Sequence, residues 1–203
     1  MYDYLSRPLE EYLNQLAAKL PCPGGGSVVA LTAALSAALT GMVVNYTLGK
    51  KGYQEYQKEL EEIRTRLEAQ RERLQKIVEE DSNIYEKIQQ ASKEKSPALE
   101  GYLKESATLH LSIARETLSL LKTNFLLLNR GNRYLLSDVG IAAVLAEAAF
   151  RAASINAAIN FKYLKDTSFV QQGCRELEEL SQEIFSLSRQ IEEGVRRSLQ
   201  RKE

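Results

Sequence analysis

Residues 21–51 read PCPGGGSVVALTAALSAALTGMVVNYTLGKK. No charged residue occurs between Pro21 and Gly49. Three consecutive glycines predict a loop free to adopt backbone shapes that Cβ-bearing residues avoid. Ser27 follows them, where its hydroxyl is expected to cap a helix by accepting an orphan N–H. Val28 to Leu48 reads as that helix. It is apolar on every side, so it should be surrounded rather than half-exposed. Free N–H groups and the positive end of a helix dipole then face one spot, a general arrangement for holding an anion or a carbonyl oxygen. No GK[ST] follows at Walker spacing and no strand precedes the glycines, which excludes both phosphate-loop and dinucleotide fingerprints. A ligand loop and a tight helix–helix turn both fit.

Around this stretch every segment has helical periodicity. Leu5, Leu9, Tyr12, Leu13, Leu16 and Leu20 form an amphipathic first helix ended by Pro21. From Tyr53 to Ala91 two registers at seven-residue spacing make a heptad seam. One holds Leu60, Leu67, Leu74, Asp81 and Ile88, the other Ile63, Gln70, Ile77, Ile84 and Ala91. Pro97 can start the next helix, Leu99 to Leu128. Ser137 and Asp138 look like the cap and first turn of another, to about Lys165. That helix is again alanine-rich, which permits close helix approach. A last amphipathic helix carries Leu177, Leu180, Ile184, Leu187, Ile191 and Val195. No segment alternates with period two. The fold class is all-α: a single domain over residues 1–203, a multihelical bundle of about six helices with two central Ala-rich helices. Seams this long in a small chain predict that a second copy completes part of the core.

Composition narrows the function. Lys+Arg and Asp+Glu are 27 each, giving a formal net charge of zero, which argues against a nucleic-acid partner. Cys22 and Cys174 belong to no CxxC or Cys/His cluster, so no metal site and a reducing, cytoplasmic setting are expected. The N-terminus lacks a signal-peptide pattern. Residues 28–48 are long enough to span a bilayer. Their Ala, Ser, Thr and Asn45 content and the glycine entrance suit a core helix instead, so no membrane partner is expected.

Few polar residues fall in apolar surroundings. Asp81 lies on the heptad seam, where an ionised carboxylate is costly unless paired or hydrogen-bonded. It is either a register-fixing, paired or marginally exposed residue, or a carboxylate of tunable pKa in a cleft. Asn156 and Asn160 share one helix face and suit either interhelical bonds or ligand orientation. Lys50 and Lys51 fit a solvated helix end. His110, the only histidine, sits between Leu109 and Leu111 and is expected to be structural or superficial.

The run PCPGGGSVVALTAALSAALTGMVVNYTLGKKGY resembles the opening of the formimidoyltetrahydrofolate cyclodeaminase / methenyltetrahydrofolate cyclohydrolase family. The Asp81 position, SDVG at 137–140 and the Asn156-to-Phe161 ending agree in order. The resemblance implies an all-helical subunit in an intertwined homodimer, acting on a tetrahydrofolate derivative with no further cofactor. It implies either hydrolysis of 5,10-methenyltetrahydrofolate to 10-formyltetrahydrofolate, or cyclisation of 5-formiminotetrahydrofolate with loss of ammonia. No formiminotransferase segment is present, which favours the first. A non-catalytic helical scaffold is the alternative of another class. Under the resemblance Asp81 is the catalytic carboxylate, with Lys50 assisting proton transfer or binding the acidic tail of folate. Gly24, Gly25, Gly26 and Ser27 would donate to the pterin carbonyl or one-carbon oxygen, and Asp138, Asn156 and Asn160 would orient the pterin edge. At 1.5 Å per residue the two ends of the opening helix lie about 30 Å apart. Ser27 and Lys50 can therefore serve one small ligand only through its long tail or through a second subunit.

Overall fold

The structure, a computed structural model, describes residues 2–200. Six α-helices hold most of them: α1 Leu9–Ala17, α2 Gly25–Thr47, α3 Gln57–Lys93, α4 Leu99–Arg130, α5 Leu136–Phe161 and α6 Thr167–Gln200. One-turn 3₁₀ segments, Gln54–Tyr56 and Arg133–Leu135, precede α3 and α5. No strand occurs among the described residues.

The two Ala-rich helices are the centre. Ala30, Ala33, Ala34 and Ala37 of α2 and Ala142, Ala143, Ala146, Ala149 and Ala153 of α5 are buried. Small side chains let the backbones approach, and Ser36 Oγ of α2 donates to the Ala142 carbonyl at 2.8 Å. α3 packs on α2 through its predicted seam: Leu60, Ile63, Leu67, Leu74, Ile77 and Ile84 are all buried. Polar Gln70 is accommodated by donating to the Glu116 carbonyl of α4 at 2.8 Å. α4 joins α2 through Asn124, whose amide donates to Thr40 Oγ1 at 3.0 Å. α6 covers α4 and α5 with Ile184 and Ile191. α2 is long and apolar enough to cross a membrane by length and composition, and it packs against α3, α4 and α5.

Four local expectations are corrected. Ser27 is not a cap: Gly24 is, in extended conformation and without a side-chain bond, and Ser27 is the third residue of α2. Its fully buried hydroxyl instead meets the Tyr12 hydroxyl at 3.1 Å. The glycine run needs no special backbone either, because the glycines with positive φ are Gly49 and Gly52. Asp138 lies in the first turn of α5 as expected, but Ser137 lies inside that turn too and the cap position is Leu135. The first helix is also short. Pro8 starts it, Tyr12 is its buried residue, and Leu5, Leu9, Leu13 and Leu20 are exposed.

Chain direction decides which residues can meet. α3 and α5 run antiparallel to α2, while α4 runs with it, as Gly26–Asp81, Gly25–Asn156 and Thr40–Asn124 proximities require. The start of α2, residues 81–88 of α3, residues 103–110 of α4 and the end of α5 therefore gather at one end of the bundle. The end of α2 and the start of α5 lie at the other.

Candidate active site

At that first end is a cavity of about 400 Å³, within the size range of small-molecule sites. Pro21, Cys22 and the three glycines form one wall, and Asp81 with Tyr85 another. Ser106, His110, Asn156, Asn160 and Tyr163 complete it.

Asp81 comes from α3 and lies against the first turn of α2. The contact is so close that a Cβ on Gly26 would overlap the carboxyl group, lying 2.6 Å from Oδ2 and nearer still to Cγ and Oδ1. Gly26 is required by space, not by conformation. The first N–H groups of a helix lack intrahelical acceptors. The backbone N–H of Ser27 favours the ionised form of Asp81 and opposes the rise of its pKa, so a carboxyl from α3, and not the Ser27 hydroxyl, stands at this helix start. Gly24, Gly25 and Gly26 line the same cavity, which presents the positive end of the α2 dipole to any ligand.

Electrostatics follow from burial. The Asp81 side chain is 14% exposed. Loss of water pushes its pKa up to about 6, opposed by the Ser27 N–H. His110 Nε2 is 3.7 Å from Asp81 Oδ1, and burial pushes the imidazole down to about 4. The shifts run opposite to those of an ion pair, so this is a neutral ring beside a carboxyl that titrates near neutrality. Burial also pushes the Cys22 thiol and the Tyr12 phenol up, leaving both uncharged at neutral pH. Among the described residues that wall the cavity there is no lysine or arginine.

The asparagines supply amides. Asn160 Nδ2 donates to Ser106 Oγ at 3.0 Å and to the Asn156 carbonyl at 2.9 Å. Asn156 Nδ2 is buried without a partner among the described residues. An unsatisfied donor at a cavity wall is costly unless a ligand or water accepts from it.

Of the residues singled out in the sequence, Asp81, Gly24, Gly25, Gly26, Asn156 and Asn160 are brought together. Ser27 contributes its N–H from beneath, not its hydroxyl. Lys50 and Asp138 do not line this cavity. Lys50 Nζ donates to Asn132 Oδ1 at 2.7 Å and lies 4.8 Å from the Tyr134 ring centroid. Both belong to the far end of the bundle. His110, expected to be structural or superficial, is buried beside the Asp81 carboxyl. The signal was present: Leu103, Ala107, His110 and Ala114 recur at four- and three-residue spacing, which sets His110 on the buried seam of α4 as Asp81 is set on that of α3. Cys22, Tyr85 and Tyr163 carried no comparable signal. Among the described residues, no group of three or more His, Cys, Asp or Glu side chains could hold a metal ion.

Comparison with known proteins gives the chain's family. Residues 8–179 match the model of the formiminotransferase-cyclodeaminase family. Methenyltetrahydrofolate cyclohydrolase of Methylorubrum extorquens is 30% identical, over 93% of this chain and 95% of that enzyme. Formimidoyltransferase-cyclodeaminase of Sus scrofa is 28% identical over 88% of this chain, which spans only 35% of that longer protein. The crystal structure of formiminotetrahydrofolate cyclodeaminase from Thermotoga maritima superposes with a TM-score of 0.92 at 31% identity, covering 96% of this chain and 98% of that one. The chain belongs to the formiminotransferase-cyclodeaminase family.

Proposed function

We propose that this chain is an enzyme of tetrahydrofolate one-carbon chemistry, hydrolysing 5,10-methenyltetrahydrofolate to 10-formyltetrahydrofolate at Asp81. The observation that carries this is a buried carboxyl on the wall of a cavity, raised by burial to about 6, in a chain 30% identical to a methenyltetrahydrofolate cyclohydrolase. A general base is most useful when its pKa lies near the working pH. Water adds to the amidinium carbon and gives one proton to the Asp81 carboxylate, so a C–O bond forms and the substrate's positive charge is lost. The protonated Asp81 then delivers that proton to N5 as the C–N5 bond breaks. The hydroxyl loses its second proton as the carbonyl forms, and one proton is released overall. The open N–H groups at the start of α2 suit the oxygen that gains charge, and the amides of Asn156 and Asn160 suit the pterin edge.

The solved cyclodeaminase from Thermotoga maritima supports a second reaction in the same site. There N10 would attack a formimino carbon, and Asp81 would carry the proton from N10 to the departing ammonia. Both reactions use one carboxyl twice.

We further infer that a second copy of the chain completes the site. Exposed apolar residues form a stripe on α5, Val144, Ile155 and Ile159, with Ile155 70% exposed, and continue on α2 at Leu35 and Tyr46. Ile159 and Tyr163 belong both to this exposed surface and to the cavity wall. A partner covering the stripe would close the cavity mouth and could bring Lys50 and Asp138 of the second copy to it. This is the protein as a cytoplasmic homodimer whose only small-molecule requirement is the folate itself, with no nucleic-acid or membrane partner. Turnover of each folate by wild type and Asp81→Asn tests the proposal.

A further inference from the structure

His110 is buried and anchored. Its side chain is 3% exposed, and Nδ1 lies 3.0 Å from the Ser106 carbonyl oxygen. A carbonyl only accepts, so Nδ1 carries the ring hydrogen and donates. In the neutral ring Nε2 is then a bare acceptor, and this bare nitrogen faces Asp81 Oδ1 at 3.7 Å. That is too long for a hydrogen bond but within reach of a small rotation, as is common before substrate tightens a site. The anchor is itself tied down, because Ser106 Oγ accepts from Asn160 of α5.

A bare imidazole nitrogen discriminates between the two forms of Asp81. It repels the carboxylate, lone pair against lone pair, and accepts a hydrogen bond from the acid. The proposed folate chemistry, on which this inference rests, makes the acid a transient: it exists between water attack and protonation of nitrogen. We propose that His110 is a positioning residue for Asp81, its bare Nε2 accepting the O–H of the acid form and so parking the proton between its two transfers. The water O–H breaks as Oδ1–H forms, and Oδ1–H breaks as N5–H forms. Nε2 gains a hydrogen bond and no proton.

The titratable groups facing the pair are Tyr12 from α1, Cys22 from the preceding loop, Tyr85 from α3 and Tyr163 beyond α5. They are phenols and a thiol, with Tyr12 and Cys22 held above their ordinary values by burial. Loss of Nε2 therefore leaves the acid form of Asp81 less favoured, and its titration moves to lower pH.

His110 is the only histidine, so ¹⁵N-histidine NMR of the whole protein reports on it alone. The expected spectrum is that of an Nδ1–H ring with a bare Nε2. That Nε2 resonance should move toward the hydrogen-bonded position as pH falls through Asp81's titration near 6, and Asp81→Ala should abolish the movement. An Nε2–H tautomer, or a resonance indifferent to Asp81, overturns the proposal without reference to activity. In kinetics, His110→Phe should lower kcat about ten-fold or more with KM little changed and move the acidic limb of the pH profile down. His110→Gln, which retains an acceptor, should recover part of both. If wild type and His110→Phe share one pH profile while Asp81→Asn is inactive, the positioning role fails and the Asp81 mechanism stands. If wild type turns over neither folate, the folate mechanism fails and the NMR result alone decides His110.

Discussion

Gly26 and Asp81 occupy each other's space: a side chain as small as methyl at Gly26 would overlap the Asp81 carboxyl group. This single contact links the glycine run to the heptad seam of α3. It lets a carboxylate reach the first turn of α2, where the Ser27 N–H favours its ionised form.

Gly26→Ala should therefore force Asp81 away from the cavity, at a stability cost of about 1–3 kcal/mol for overpacking and with loss of turnover. Gly24→Ala should be nearly silent, since nothing lies within 4 Å of a Cβ there. Gly25→Ala meets only Asn156 Oδ1, at an ordinary 3.8 Å. Denaturation midpoints and turnover of the three variants give the ranking. Equal effects at Gly24 and Gly26 would mean that flexibility, not space, explains the glycines.

Asp81 and His110 give opposite pH dependences of stability. Asp81 is raised from 3.8 to about 6 in the folded chain, so the stability gained from its proton is full below about 4 and is lost as pH rises through 6. His110 is lowered from 6.5 to about 4, so its contribution is full above about 6.5 and is lost as pH falls toward 4. Between pH 4 and 6 the folded pair holds one proton on Asp81, the unfolded pair one on His110, and the two slopes cancel. Relative to wild type, Asp81→Asn should lose about 1.4 kcal/mol per unit of acidification in this window, and His110→Phe about as much per unit of alkalinisation. Urea denaturation at pH 4.5, 5.2 and 6 measures both slopes. Variants parallel to wild type would mean the shifts are not there.

The bundle was legible because burial is written in periodicity. Seven-residue spacing located the α3 seam, and alanine content identified α2 and α5 as central. Asp81 stood out by interrupting a seam. Ser27 misled because capping preference is local, whereas the orphan N–H at this helix start is met by a carboxylate 54 positions further along the chain, which no local pattern records. His110 shows a related limit. Its neighbours Leu109 and Leu111 mark it as structural or superficial, and only the packing of α4 on α3 sets it 3.7 Å from Asp81. The separation of Lys50 from the glycines was fixed by the rise of the helix alone, and a partner subunit's approach depends on surface that a single chain's periodicity cannot pair.

If the cavity is shared, variants in different halves should complement. Lys50→Met and Asp81→Asn, each of low activity alone, should regain about a quarter of wild-type turnover when mixed and exchanged, because half the dimers are mixed and each carries one intact site. No recovery with low activity in both variants points to sites built within one chain. Full activity of Lys50→Met alone removes Lys50 from the mechanism. Full activity in a monomer, checked by sedimentation, removes the partner altogether.

The central claim is that Asp81 is the acid–base group of a folate one-carbon enzyme. The most direct measurement mixes purified protein with 5,10-methenyltetrahydrofolate and follows loss of its near-ultraviolet absorbance against the spontaneous rate, with ammonia release from 5-formiminotetrahydrofolate measured in parallel. Wild type should accelerate at least one reaction, its rate rising with pH through an apparent pKa near 6, and folded Asp81→Asn should be at least about 100-fold slower. No acceleration of either folate by wild type, or Asp81→Asn turning over at the wild-type rate, would contradict it.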